Sequence, residues 1–238
     1  MRYAIAAPGQ AVARIAGSDD VFPVHRVYCV GRNYADHALE MGQREASEPF
    51  FFCKPADAVF TADPEAPAKL AYPAQTARLH HEVELVVALG AGGADVPAGR
   101  AAGLVWGYAV GLDLTRRDLQ TQLKEQARPW EIAKSFDRSA PVSPIRPAQL
   151  CGSLRGGRIW LEVNGQARQD GDLAHMIWGV EEILAHLSRY FCLQAGDLVF
   201  TGTPSGVGAI VPGDRVRAGI DGVGSLALDV IERAPSGG

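Results

Sequence analysis

No two cysteines in this chain lie close enough to form a CxxC motif. The four, Cys29, Cys53, Cys151 and Cys192, have at least 23 residues between neighbours. That excludes a zinc ribbon or a dithiol redox centre. Three of them sit in apolar runs, so buried free thiols are expected, as suits a reducing cytoplasm. Positive charge is not in excess either. Lys plus Arg number 23 against 27 Asp plus Glu, a net charge of −4. Nothing here would neutralise a phosphate backbone, so nucleic acid is not the expected partner. Long hydrophobic runs are missing as well. The longest, Leu85 to Gly93, is far short of the roughly 20 residues that span a bilayer, and a soluble protein is expected. The N-terminal apolar stretch is broken by Pro8 and reads as a strand and turn rather than a leader peptide. No repeat and no low-complexity tract occurs.

What is present is ample core material. The 238 residues are 47% hydrophobic and 21% charged, which fits one large domain or two small ones. Strand patterns dominate. RVYCVG at 26–31, FFFCKP at 50–55, HEVELVVALG at 81–90, VWGYAVGLDLT at 105–115 and DLVFTG at 197–202 read as strands. Residues 55–79 carry four prolines and read as mostly irregular. RIWLEVNGQARQDG reads as a hairpin, because Asn164-Gly165 suits a type I′ turn. Helices are predicted for NYADHALEM, for a weak segment near 97–103, for RRDLQTQLKEQ and for Val180 to Phe191. In the last, Ile183, Leu184, Leu187 and Tyr190 share a face. Strands do not alternate regularly with helices, so a doubly wound parallel sheet fits poorly. The expected class is α+β, mainly β: a mixed, largely antiparallel sheet core with a few covering helices.

The chemistry concentrates in HHEVELVVAL. On a strand, Glu82 and Glu84 point to one face, about 6.6 Å apart, while the apolar residues around them predict burial on both faces. Two like carboxylates in such a place stay ionised only beside a cation. An all-oxygen donor set favours magnesium, manganese or calcium. The plain alternative is an edge strand whose glutamates face water. Asp113, at the end of GYAVGLD, is a third candidate ligand, with a helix N-cap as its alternative role. A zinc or iron site on His80, His81 and Glu82 fits less well, since HExxH is absent and adjacent strand histidines face opposite ways.

Around these acids stand candidates for proton transfer and anion binding. His37 and Glu40 are three residues apart on a helical segment, so Glu40 can orient the imidazole, or the two can simply be a solvated pair on an exposed helix. The loop from Gly42 to Pro49 suits a lid. Lys134, in WEIAKSFD, can stabilise an oxyanion, or simply be a surface lysine. Arg116 or Arg117, near Gln120, can hold a carboxylate. The run TGTPSGVG allows backbone to approach a ligand closely, but it lacks a P-loop ending and GxGxxG spacing.

GRNYADHALEMG, FFFCKPADAV, LHHEVELVVALG, YAVGLDLTRRDLQ, PWEIAKSFDRSAPVSP, LEVNGQARQDG and LVFTGTPSGVG, in this order, resemble the fumarylacetoacetate hydrolase family over about Val24 to Arg233. The resemblance implies a mixed β-roll catalytic domain over 21–234, after a short N-terminal strand and turn segment at 1–20. It implies Mg²⁺ or Mn²⁺ on Glu82, Glu84 and Asp113. It also implies a water-activating His37/Glu40 pair in a lid, a catalytic Lys134, and substrate contacts from Arg117, Gln120 and Thr203. A cytoplasmic homodimer is implied, acting on a small keto acid with neither membrane nor nucleic acid as partner. The wording of these motifs is most similar to the branch that hydrolyses acylpyruvates, fumarylpyruvate above all, in aromatic-compound catabolism. Oxaloacetate decarboxylation or isomerisation of an unsaturated 2-oxo diacid are the alternatives within the family. A non-catalytic dimeric module with a structural cation is the alternative of another class.

Overall fold

The computed structural model describes residues 3–35, 48–152 and 154–234. His37, Glu40 and most of the helix predicted for NYADHALEM lie outside the described residues.

The core is a mixed eight-stranded sheet. Its neighbouring strands run in the order Phe50–Lys54, Val27–Gly31, Leu198–Phe200, Val83–Leu89, Val105–Leu112, Ala140–Val142 and Val59–Thr61, with Arg146–Pro147 pairing beside Val105–Leu112. A five-stranded sheet packs against it, in the order Gln166–Asp172, Arg158–Val163, Arg215–Ile220, Gly224–Ile231 and Ala68–Ala71. Apolar faces of both sheets meet in one cluster, including Leu85, Val110, Leu112, Ile159, Leu161, Leu226 and Leu228. Among the described residues most strand pairs are antiparallel and three are parallel, one being Leu198–Phe200 beside Val27–Gly31. This is the mainly β, mixed-sheet architecture expected from the sequence, and helices only cover it.

The helix Val180–Leu187 follows its sequence pattern. Ile183, Leu184 and Leu187 are buried against Tyr28, Val30, Val87 and Val199. It stops at Leu187, however, so Tyr190 falls beyond its face and is 65% exposed. The Asn164-Gly165 hairpin is present, with both turn residues at positive φ. Near the N-terminus, Val12–Arg14 pairs with Val21–Pro23. Ile145 donates its N–H to Arg14 O at 2.8 Å, tying this hairpin to the main body.

Two expectations need correction, and a third holds: residues 55–79 are mostly irregular, with the short strands Val59–Thr61 and Ala68–Ala71 among them. Both sit at sheet edges, where prolines nearby cost no ladder bonds. HEVELVVALG is not one strand. It breaks at Glu82: Leu79–His81 belongs to a three-stranded sheet with Thr115–Arg116 and Gly208–Ile210, and Val83–Leu89 to the eight-stranded sheet. Finally, only Cys29 and Cys151 are buried; Cys53, turned outward on an edge strand, and Cys192 are exposed, all four being free thiols.

Candidate active site

The break at Glu82 builds the site. Val83 lies opposite Leu112 and Glu84 opposite Gly111 in the central ladder. One step past its end, Asp113 donates its N–H to the Glu82 carbonyl at 2.9 Å. Two strands distant in the chain thus set Glu82, Glu84 and Asp113 side by side. All three are buried, and each offers a carboxylate oxygen within 4.8 Å of the others. Among the described residues, no other group of three acids, histidines or cysteines does so.

Buried bases answer these acids. Lys134, the last residue of the short helix Glu131–Lys134, donates to Glu82 Oε2 at 2.8 Å and to Asp113 Oδ2 at 2.5 Å. Burial works against its charge, but the Asp113 and Glu82 carboxylates outweigh burial and raise its pKa. Lys134 is therefore an ammonium, not a free amine. Arg117 opens the helix Arg117–Glu125. Its guanidinium pairs with Glu82, donates to Gln120 Oε1, and places Nε 3.3 Å from His80 Nδ1. Burial and Arg117 lower the His80 pKa to about 4, so the imidazole is neutral and accepts. Arg116 turns away, to the Ile132 carbonyl and the Phe136 ring.

Glu84 differs from its neighbours. Burial pushes its pKa well up, and Asp113 and Glu82 add to the rise, against the pull of the Gly202 N–H at 2.7 Å. Gly202 reaches this position at φ +95°, where a Cβ would come within 2.7 Å of Asn33 Cβ. Next along the chain, the buried Thr203 hydroxyl accepts from Gln169 at 2.8 Å.

Glu82, Glu84, Asp113, Arg117, Gln120, Lys134 and Thr203 all line one small cavity. Phe50, Phe52 and Trp130 form its aromatic wall, and Arg32 stands 5.4 Å over the Phe50 ring. A larger open groove, about 1050 Å³ near Arg14, Asp63 and Arg146, contains none of these residues.

The match to known proteins is unambiguous. Residues 26–231 match the family model described as fumarylacetoacetate (FAA) hydrolase C-terminal. The chain belongs to the fumarylacetoacetate hydrolase family. Among solved structures, fumarylpyruvate hydrolase from Pseudomonas aeruginosa, in complex with Mn²⁺ and pyruvate, is 53% identical. It covers 98% of this chain and 100% of its own, with a TM-score of 0.95. The mitochondrial oxaloacetate tautomerase FAHD1 of Rattus norvegicus is 46% identical over 86% of this chain and 90% of its own length. Fumarylpyruvate hydrolase of Ralstonia sp is 41% identical over 79% and 95%.

A divalent cation fits this fumarylacetoacetate hydrolase fold. The donor set is all oxygen, buried and convergent. Among the described residues, Glu84 has no close cationic partner of the kind that Glu82 and Asp113 have in Lys134. Such a set suits a hard ion. The histidine-based alternative does not form, because His81 turns to Gln169 and His80 to Arg117. No helix among the described residues is long and apolar enough to cross a membrane.

Sequence reasoning missed several residues. Lys54 is fully buried, 2.8 Å from Asp113 Oδ1, and donates to the carbonyls of Leu114 (3.2 Å) and Lys134. It fastens the end of the Asp113 strand to the end of the Lys134 helix. The signal was present as a lysine closing the apolar run FFFC, without the pairing that gives it meaning. Arg32, Phe50, Phe52 and Trp130 carry no local signature of a cavity wall.

Proposed function

We propose that this chain is a divalent-cation-dependent hydrolase that cleaves a carbon–carbon bond in acylpyruvates, converting fumarylpyruvate and water to fumarate and pyruvate. One observation carries the reading: three buried carboxylates converge beside buried Lys134 and Arg117 in a single cavity. Similarity to a fumarylpyruvate hydrolase whose structure contains Mn²⁺ and pyruvate supports it.

In this reading Glu82, Glu84 and Asp113 hold Mg²⁺ or Mn²⁺. The bound cation supplies Lewis acidity to the 2-oxo acid end of the substrate, drawing electrons out of the bond that breaks. Arg117 and Gln120 orient a substrate carboxylate, and Thr203 contributes its hydroxyl. His37, oriented by Glu40, takes a proton from the water that attacks the distal carbonyl. Lys134, held as an ammonium, donates a hydrogen bond to the oxyanion that forms. The carbon–carbon bond then breaks, and the proton held by His37 passes to the methylene carbon of the departing pyruvate. A homodimer and a cytoplasmic location belong to the same proposal.

The 46% identity to an oxaloacetate tautomerase favours a second reading, in which the same centre enolises oxaloacetate without water attacking. A panel of 2-oxo acids separates the two. Fumarylpyruvate should lose its diketone absorbance in Mg²⁺ or Mn²⁺, stop in EDTA, and recover on metal add-back. Faster enol–keto exchange of oxaloacetate, with fumarylpyruvate untouched, would favour the tautomerase. Melting in EDTA with no turnover of any substrate would point to a purely structural cation.

A further inference from the structure

We propose that Gln169 is the positioning residue of this centre, one buried amide that sets both the Glu82 carboxylate and the Thr203 hydroxyl. The proposal rests on the reading of the site above and adds a residue far from it in sequence.

Gln169 is 1% exposed. Its Oε1 accepts from the Val83 N–H at 3.1 Å and lies 2.9 Å from His81 Nδ1. Its Nε2 donates to Thr203 Oγ1 at 2.8 Å and to the Pro204 carbonyl at 2.9 Å. The amide orientation is forced. A backbone N–H requires the oxygen on one side, and a carbonyl requires the NH₂ on the other. The same logic makes Nδ1 the protonated nitrogen of His81. All the hydrogen-bonding directions of the amide are then engaged.

The two groups on Oε1 belong to His81 and Val83, the neighbours of Glu82 on either side. They grip the chain where it passes from one sheet to another. The two groups on Nε2 belong to the loop that carries Gly202 and Thr203. One side chain therefore spans both halves of the cavity floor.

A local irregularity brings it there. The hairpin register slips between Leu161 and Glu162: Leu161 faces Gln169 but Glu162 faces Ala167, leaving Arg168 as an extra residue. Gln166 to Arg168 and Asp170 are exposed, whereas Gln169 is buried. Bulges of this kind re-aim side chains next to functional sites. The loop is seated on the bulge, since a Cβ at Gly206 would lie 2.1 Å from the Arg168 carbonyl oxygen.

Two variants of the full chain test this, Gln169→Met and Gln169→Glu, with Tm recorded for each. Calorimetry on EDTA-treated, desalted protein measures Mn²⁺ binding, and then pyruvate binding at saturating Mn²⁺. Gln169→Met removes both ends of the bridge. It should weaken Mn²⁺ about 10- to 100-fold, the range for groups that orient metal ligands, and weaken pyruvate as well. Gln169→Glu keeps the acceptor for Val83 and His81 but cannot donate to Thr203. Its Mn²⁺ affinity should stay within about threefold while pyruvate weakens about tenfold, a split that general destabilisation does not produce. Both affinities of Gln169→Met within twofold of wild type, whatever its Tm, would overturn the proposal. So would equal losses in the two variants. Should Gln169→Met fail to fold, unchanged pyruvate binding in Gln169→Glu would overturn it alone. Wild-type protein that binds no Mn²⁺ would instead sink the site reading itself, and this proposal with it.

Discussion

Glu84 sits 2% exposed between two other carboxylates, and among the described residues its one short hydrogen bond comes from a backbone amide. Without a cation, its ionised form strains the fold. The native state binds the Glu84 proton more tightly than the unfolded chain does, because burial and Asp113 raise its pKa. Stability of the metal-free protein therefore falls as pH rises from the unfolded carboxylate value, about 4.3, toward the raised native one. Glu84→Gln keeps the shape and removes the charge. At pH 8 it should stabilise metal-free protein by about 1–2 kcal/mol, or roughly 3–6 °C in Tm. The gain should fade near pH 4, and Mn²⁺ should no longer raise Tm. Differential scanning fluorimetry in EDTA at both pH values measures this. A lower Tm for the variant at pH 8 would show that another group already neutralises Glu84. The acids were legible as sequence because like charges in an apolar strand demand an explanation. Lys54 and Gln169 were not, because what they do depends on partners such as Leu114 and His81, remote from them in the chain.

Local pattern and long-range pairing divide the elements the same way. The central strands, the covering helix at 180–187 and the hairpin turn all announce themselves by period and turn chemistry. The edge strands Val59–Thr61 and Ala68–Ala71 do not, since each has a strand neighbour on one side only and lies among prolines. The break at Glu82 is likewise invisible, for only the two sheets on either side reveal it. The TGTPSG segment shows how one element serves both fold and site. Its Gly202 has φ +95°, packs on Asn33, and aims its N–H at Glu84. Gly202→Ala places a Cβ 2.7 Å from Asn33 Cβ, so the loop must shift. The strained backbone and the overlap should cost about 2–4 kcal/mol, roughly 4–12 °C in Tm. The variant should also bind Mn²⁺ more weakly, because the amide that orients Glu84 moves with the loop. Tm alone falling, with Mn²⁺ binding intact by calorimetry, would show that Glu84 is oriented without that amide.

At the scale of the whole molecule the question is charge. The chain carries a net −4, yet the buried groups of the cavity balance. With Glu84 ionised, as a bound cation requires, Glu82, Glu84 and Asp113 are matched in number by Lys54, Arg117 and Lys134. A divalent ion entering alone would leave this pocket at +2 in a poorly solvated place, and the three bases oppose it. An anionic 2-oxo acid reverses that cost, and a dicarboxylate restores neutrality. Cation and substrate should therefore bind cooperatively, and linkage requires each to tighten the other by the same factor. We expect saturating pyruvate to tighten Mn²⁺ at least about tenfold, equivalent to about 1.4 kcal/mol of coupling. A 2-oxo dicarboxylate should do more. Calorimetric Mn²⁺ titrations at a series of fixed pyruvate concentrations measure the factor, and pyruvate titrations at fixed Mn²⁺ must return the same value. A Mn²⁺ constant indifferent to pyruvate would mean that the bases are already neutralised elsewhere, and that the pocket accepts its cation independently of any substrate anion.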